Sequence, residues 1–212
     1  MPGRAPVDAA TPALLRRRVS ALGQEALRAA WSLADSAESR VIVSSRHGEF
    51  GRTLSILDSL VDRTEVSPAD FTLSVHHALA GLLSIARGNR QGHTAVAAGP
   101  ESFCFGLLEA AACLAETPAV PVVLLHYDEP LPSPFLTFEE PGASSEVLAL
   151  LLTIEGPGIP LTLSFDPAPA GATRSASHAK EFLGLLETPG EADRISVGER
   201  LAWRWRRHAT QD

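Results

Sequence analysis

"HTAVAAGPESFCFGLLEAAACLAE", residues 93–116, changes character at its seventh position, and that change sets the architecture. Residues 93–99 are small, β-branched and apolar, which reads as a short buried strand. Pro100 suits the first position of a helix because its missing N–H has no intrahelical partner there, and Glu101 in the first turn favours the positive helix end. The helix is expected to run over 100–116. Strand, sharp turn, helix is the layout in which a nucleophile elbow presents a reactive side chain. Cys104 and Cys113 lie on that helix nine positions apart. At about 100° per residue they face opposite sides and cannot form a disulfide, which fits a reducing cytosol.

Outward from this unit, "RVIVSSR" (40–46) and "VPVVLLHYDE" (120–129) read as buried strands, the second continuous enough to be covered on both faces. "TLSILDSLVDR" (53–63) and "SASHAKEFLGLLE" (175–187) have helical spacing. "EVLALLLTIEG" (146–156) and "IPLTLSFDP" (159–167), separated by "PG", read as an antiparallel pair. Helices mixed with a sheet of five or more strands give an α/β layered fold. Thr11 as cap, Pro12 and the apolar spacing of Leu15, Val19, Leu22 and Ala26 predict a first helix with Arg16, Arg17 and Arg18 on its solvated side. Residues 1–11 are then a loose leader, 12–190 one domain, and 191–212 a basic, tryptophan-bearing helix or tail in which Leu201 and Trp205 stand at i,i+4.

The net charge of −7, with Lys180 the single lysine, disfavours bulk nucleic-acid binding. No stretch approaches 18 uninterrupted apolar residues and the N-terminus lacks a signal-peptide core, so a cytoplasmic chain with no membrane span is expected. "HGEFGRT" (47–53) follows a strand as a glycine turn, yet lacks the spacing of a phosphate loop. In "FTLSVHHALAGLLSIARGN" (71–89), a helix is expected over Ser74–Ile85. His76 and His77 are neighbours about 100° apart on it and do not converge on a metal as an i,i+4 pair would. No metal site and no cofactor are expected.

The segment from His77 to Ala111 resembles the active-site region of the β-ketoacyl synthases, the condensing enzymes of the thiolase-like superfamily. "HALAG" (77–81), "GNRQG" (88–92) and "TAVAAGPESF" (94–103) follow, in order and without a gap, that family's Asn-x-x-Ala-Gly, Gly-x-x-Gly-Pro and Ala-Cys-x-Ser-Gly stretches. In this register His77 stands for the family's Asn, Gly99 for the residue before the nucleophile, and Pro100 for the cysteine itself. Proline supplies neither a nucleophile nor the N–H that such an elbow contributes to an oxyanion hole. The two histidine motifs of the family's C-terminal half have no counterpart after residue 120.

The strings "SRHGEFGRT", "SVHHALAGLLSIARGN" and "LLHYDEPLP" are similar to the short ketosynthase-like proteins of the chain-length-factor type that accompany aryl-polyene-type and other type II fatty-acid-like systems. The resemblance implies a thiolase-like half and a non-catalytic subunit. Its implied partners are a catalytic β-ketoacyl synthase, as a dimer, and an acyl carrier protein. Gly99, Pro100, Glu101, Ser102, Phe103, Cys104 and Phe105 would form the emptied site and acyl tunnel, with His76, His77 and Gly81 as structural residues near the elbow. Two alternatives stand beside it. One is an acyltransferase or thioesterase using Cys104 or Ser102 with His76 or His77 as base. The other is a homodimer that binds acyl chains or carrier protein.

Overall fold

The structure, a computed structural model, describes residues 19–33, 38–139 and 144–209. The expected leader, Thr11, Pro12 and the Arg16–Arg18 triplet lie outside the described residues. The first described helix, α1 (Ala21–Trp31), is capped by Ser20, whose Oγ accepts from the Gly23 N–H at 3.0 Å.

Three parallel strands form the centre: β1 (Arg40–Ser44) lies between β2 (His93–Val96) and β3 (Val122–Asp128). β4 (Glu146–Leu152) adds antiparallel to β3, giving a mixed sheet in the order β2-β1-β3-β4. The crossovers carry helices α2 (Phe50–Val61), α3 (Pro68–Ser74), α4 (Ala78–Arg87) and α5 (Ser102–Glu116). β1 and β3 bury both faces because their runs are continuously apolar, as parallel strands covered by helices require.

The period-two alternation of those strands builds two cores. Val41, Val43, Val123, Leu125 and Tyr127 face Ala26, Leu27 and Ala30 of α1 and Leu79, Ala80 and Leu83 of α4. Ile42, Val122 and Leu124 face Phe103, Cys104, Leu107 and Ala110 of α5. Gly106 lets α5 lie against the sheet, since a Cβ there would come within 2.9 Å of Ser44 Cβ. Beyond α5, helix α6 (His178–Glu187) and a second sheet in the order β5-β7-β6 (β5, Leu161–Pro167; β6, Asp193–Val197; β7, Leu201–Arg207) close this core with Phe182, Leu185, Trp203 and Trp205.

The layered α/β class expected from sequence is the observed one, but its strands divide over a mixed sheet of four and a second sheet of three instead of one sheet of five or more. Several local expectations are corrected. The stretch at 146–167 is no hairpin: β4 pairs with β3 and β5 with β7. The C-terminal segment is no helix, because Leu201, Trp203 and Trp205 alternate with Ala202, Arg204 and Arg206 and bury one face of a strand. Those tryptophans belong to the core, so the packed body extends past residue 190. The helix expected over 74–85 starts later, as α4, after α3 ends at Ser74, Val75 is extended and His76 and His77 turn. β2, expected to be buried, is an edge strand with partly exposed residues.

Candidate functional site

The elbow is built from Ala98, Gly99 and Pro100 between β2 and α5. Gly99 has φ +60°, the left-handed region that a side chain would strain, and it turns the chain into the helix. Pro100 stands exposed at the apex. Ser102 Oγ donates to the Gly99 carbonyl at 2.7 Å and accepts from the Ala98 N–H at 3.0 Å. Its hydroxyl therefore locks the turn from a buried position and is not presented as a nucleophile.

Glu101 points away from the apex into the second sheet. One carboxylate oxygen accepts from the backbone N–H groups of Glu199 (2.6 Å) and Arg200 (3.2 Å), and the other from Trp203 Nε1 (3.2 Å). It ties the β6–β7 turn to the elbow. Cys104 is fully buried, and burial together with the Glu101 charge pushes its thiol far above the ordinary range. Phe103 stacks edge-on against His126 (5.3 Å) and tilted against Phe182 (5.3 Å), while Phe105 meets Trp203 edge-on at 5.1 Å.

Two cavities flank Pro100. The first, about 260 Å³, is lined by Pro100 and Phe103 together with His126, Asp128, Glu146 and His178. The second, about 400 Å³, runs beside Pro100, Glu101 and Phe105 to Leu201. Gly99, Ser102 and Cys104 line neither. The first cavity opens at the carboxyl ends of the parallel strands, the usual place for a ligand crevice in an α/β sheet.

His126 lies within the buried run of β3 beside Ser44, its register partner on β1. Its Nδ1 lies 3.1 Å from the Ser44 carbonyl oxygen and 3.0 Å from Ser44 Oγ. In the tautomer that gives the Nδ1 proton to the Ser44 carbonyl, which can only accept, the neutral ring turns an unprotonated Nε2 outward. Burial lowers the ring to about 4. Asp128 Oδ1 accepts from the Arg46 N–H (2.7 Å) and Ser45 Oγ (3.0 Å), while burial raises the carboxyl to about 6 against those bonds. His178 is held through Nδ1 by Ser196 Oγ at 2.6 Å, and burial lowers it as well.

The histidines singled out in sequence lie elsewhere. His77 is exposed and packs its ring edge-on against His93, at the opposite end of β2 from the elbow. His76 is partly buried over Gly48, where a Cβ would meet its ring at 3.3 Å. Around Gly81 a Cβ would meet nothing within 4 Å, so packing does not require glycine there. The arrangement needed by the enzyme alternative, Cys104 or Ser102 beside His76 or His77, is not assembled. Sequence reading passed over the cluster that is assembled, His126, Asp128, Glu146 and His178. The signal available was one polar residue, His126, inside an otherwise apolar strand. Among the described residues no helix is long and apolar enough to cross a membrane, and no group of three or more His, Cys, Asp or Glu is arranged to hold a metal ion.

Comparison with known proteins places this geometry. The family model "Beta-ketoacyl synthase, N-terminal domain" matches residues 2–206. No curated protein matches the chain. Among solved structures, a chain of the ketosynthase (ApeO) in complex with its chain length factor (ApeC) from Xenorhabdus doucetiae is 27 % identical, with a TM-score of 0.80 over 93 % of this chain and 82 % of that one. The ishigamide ketosynthase/chain length factor is 13 % identical (TM-score 0.46, 89 % of this chain and 44 % of that one). A β-ketoacyl synthase from Burkholderia phymatum STM815 is 20 % identical (TM-score 0.49, 65 % and 37 %). The chain thus spans most of the first and less than half of the other two.

Proposed function

The chain belongs to the β-ketoacyl synthase N-terminal domain family, and from that premise we propose that it is a non-catalytic subunit of the chain-length-factor type. It pairs with a catalytic β-ketoacyl synthase, works on chains delivered by an acyl carrier protein, and shapes the acyl tunnel of a type II fatty-acid or polyketide-like pathway of the aryl-polyene kind. The observation that carries the reading is Pro100 at the elbow apex, after a left-handed Gly99 and ahead of a long helix. The backbone of a nucleophile turn is kept while the nucleophile and one oxyanion donor are lost.

Three observations support it further. Cys104 is buried with a raised thiol pKa, Ser102 is locked into the turn, and neither has His76 or His77 at hand. The likeness to a chain of a ketosynthase–chain length factor complex extends over most of both chains. Pro100, Phe103 and Phe105, which border the flanking cavities, are the residues assigned to the tunnel wall.

The test is co-expression with a catalytic β-ketoacyl synthase from the same genome, followed by size-exclusion chromatography with light scattering. A one-to-one complex is the expected result. A chain that elutes alone as a stable homodimer while the synthase is active without it would overturn the reading.

A further inference from the structure

The cavity beside Pro100 has an unbalanced set of hydrogen-bonding groups. His126 is only 4 % exposed and lines the cavity, and in the tautomer whose Nδ1 proton goes to the Ser44 carbonyl its Nε2 carries a lone pair. Within 3.7 Å of that nitrogen lies Asp128 Oδ2, and at 4.0 Å lies Glu146 Oε2. Three acceptors thus converge with no hydrogen bond among them. The surrounding groups fill the gap only in part. Asp128 Oδ1 is taken by Ser45 and Arg46, and Ser177 Oγ reaches Glu146 Oε2 from the α6 side at 2.7 Å. Lys180 Nζ sits outside, 3.4 Å from Glu146 Oε1 and more than half exposed. The described lining holds five carboxylates against two guanidinium groups, Arg46 and Arg174, and Arg174 pairs with Glu199 at 3.5 Å.

We propose that this crevice binds a cationic nitrogen group, a guanidinium or primary ammonium, with His126 Nε2, Asp128 Oδ2 and Glu146 Oε2 as its acceptors. Such a group supplies several N–H donors and a positive charge at once, which is what three acceptors and surplus carboxylate charge lack. A neutral hydroxyl would leave acceptors unsatisfied and the charge uncompensated. The cavity is large enough for the head group of an arginine or lysine side chain or of a small amine, and its mouth at Pro100 is open to solvent.

The probe is methylguanidinium, titrated into the full chain while the histidine Cε1–H resonances are followed by NMR at constant ionic strength, with His126 assigned through His126→Gln. Saturable shifts of the His126 and His178 resonances, with His77 unmoved, are expected. Glu146→Gln, which keeps a carbonyl for Ser177 but removes the charge, should weaken binding about tenfold. Asp128→Asn is the second variant. No saturable shift, or equal binding by wild type and both folded variants, would overturn the proposal. Repeating the titration on the purified synthase complex separates the sources: loss of probe binding assigns the cation to a partner side chain, and retained binding assigns it to a free amine. If no complex forms, the subunit reading fails while the titration of the free chain still decides this site.

Discussion

Replacing Glu101 by alanine should unfasten the second sheet from the elbow. The wild-type carboxylate, buried beneath the β6–β7 turn, satisfies two backbone N–H groups and the indole N–H of Trp203. Each donor orphaned in a buried place costs about 1–3 kcal/mol. The side chain also borders a cavity, so water can reach part of the vacated space and the sum falls below the upper limit. A loss of about 3–5 kcal/mol is therefore expected for Glu101→Ala, and about half as much for Glu101→Gln, which keeps one carbonyl acceptor but turns an amide toward a donor. Gly198→Ala should reproduce much of the loss without touching the carboxylate's chemistry, because its Cβ would lie 2.1 Å from the Glu101 oxygen. Urea unfolding followed by tryptophan emission is the assay, since Trp203 and Trp205 are fully buried. A loss below about 1 kcal/mol for Glu101→Ala, with unchanged emission, would refute the assignment of Glu101 as an anchor.

Other consequences follow from the same geometry. Native Cys104 should resist iodoacetamide at neutral pH and label only when unfolded, as mass spectrometry would read. Gly106→Ala should cost about 1–3 kcal/mol by pushing α5 off Ser44 and Leu124, whereas Gly81→Ala, in open space within a helix, should gain about 0.5–1 kcal/mol; thermal unfolding distinguishes them. The histidine and carboxyl beside the elbow oppose each other with pH. His126, lowered from 6.5 to about 4, binds its proton better unfolded and adds stability as pH rises across that window. Asp128, raised from 3.8 to about 6, binds its proton better folded and removes stability as pH rises over its own. His178, lowered by the same burial, acts in the sense of His126, so wild-type stability should rise with pH there, and Asp128→Asn should steepen the rise by up to about 3 kcal/mol, measured by chemical unfolding at fixed pH.

The strand–turn–helix at 93–116 was legible because three independent signals coincide in it: the change of apolar pattern, Pro100 at a helix start, and the family spacing from His77. β1 and β3 were equally plain from their unbroken apolar runs. The C-terminal strand was not, since a spacing of four, Leu201 to Trp205, satisfies both a helical turn and two strand repeats. Trp203 between them was the deciding residue, and it fits only the strand. The β4–β5 hairpin failed because a local turn says nothing about partners: β4 is continuously apolar and joins the buried sheet, whereas β5 alternates Leu161, Leu163 and Phe165 and covers one face only. At the site, the sharp turn was readable, Gly99 ahead of Pro100 and a long helix. The convergence of His126, Asp128, Glu146 and His178 was not, because it depends on the register of β3 with β4 and on α6 packing over their ends.

An elbow with no nucleophile forms no acyl adduct, which intact-protein mass spectrometry reads. The chain, mixed with a catalytic β-ketoacyl synthase from the same genome, would be incubated with an acyl thioester of an acyl carrier protein, and each chain weighed. An acyl adduct is expected on the synthase and none on this chain. A stoichiometric adduct on this chain, mapped to Ser102 or Cys104, would contradict it.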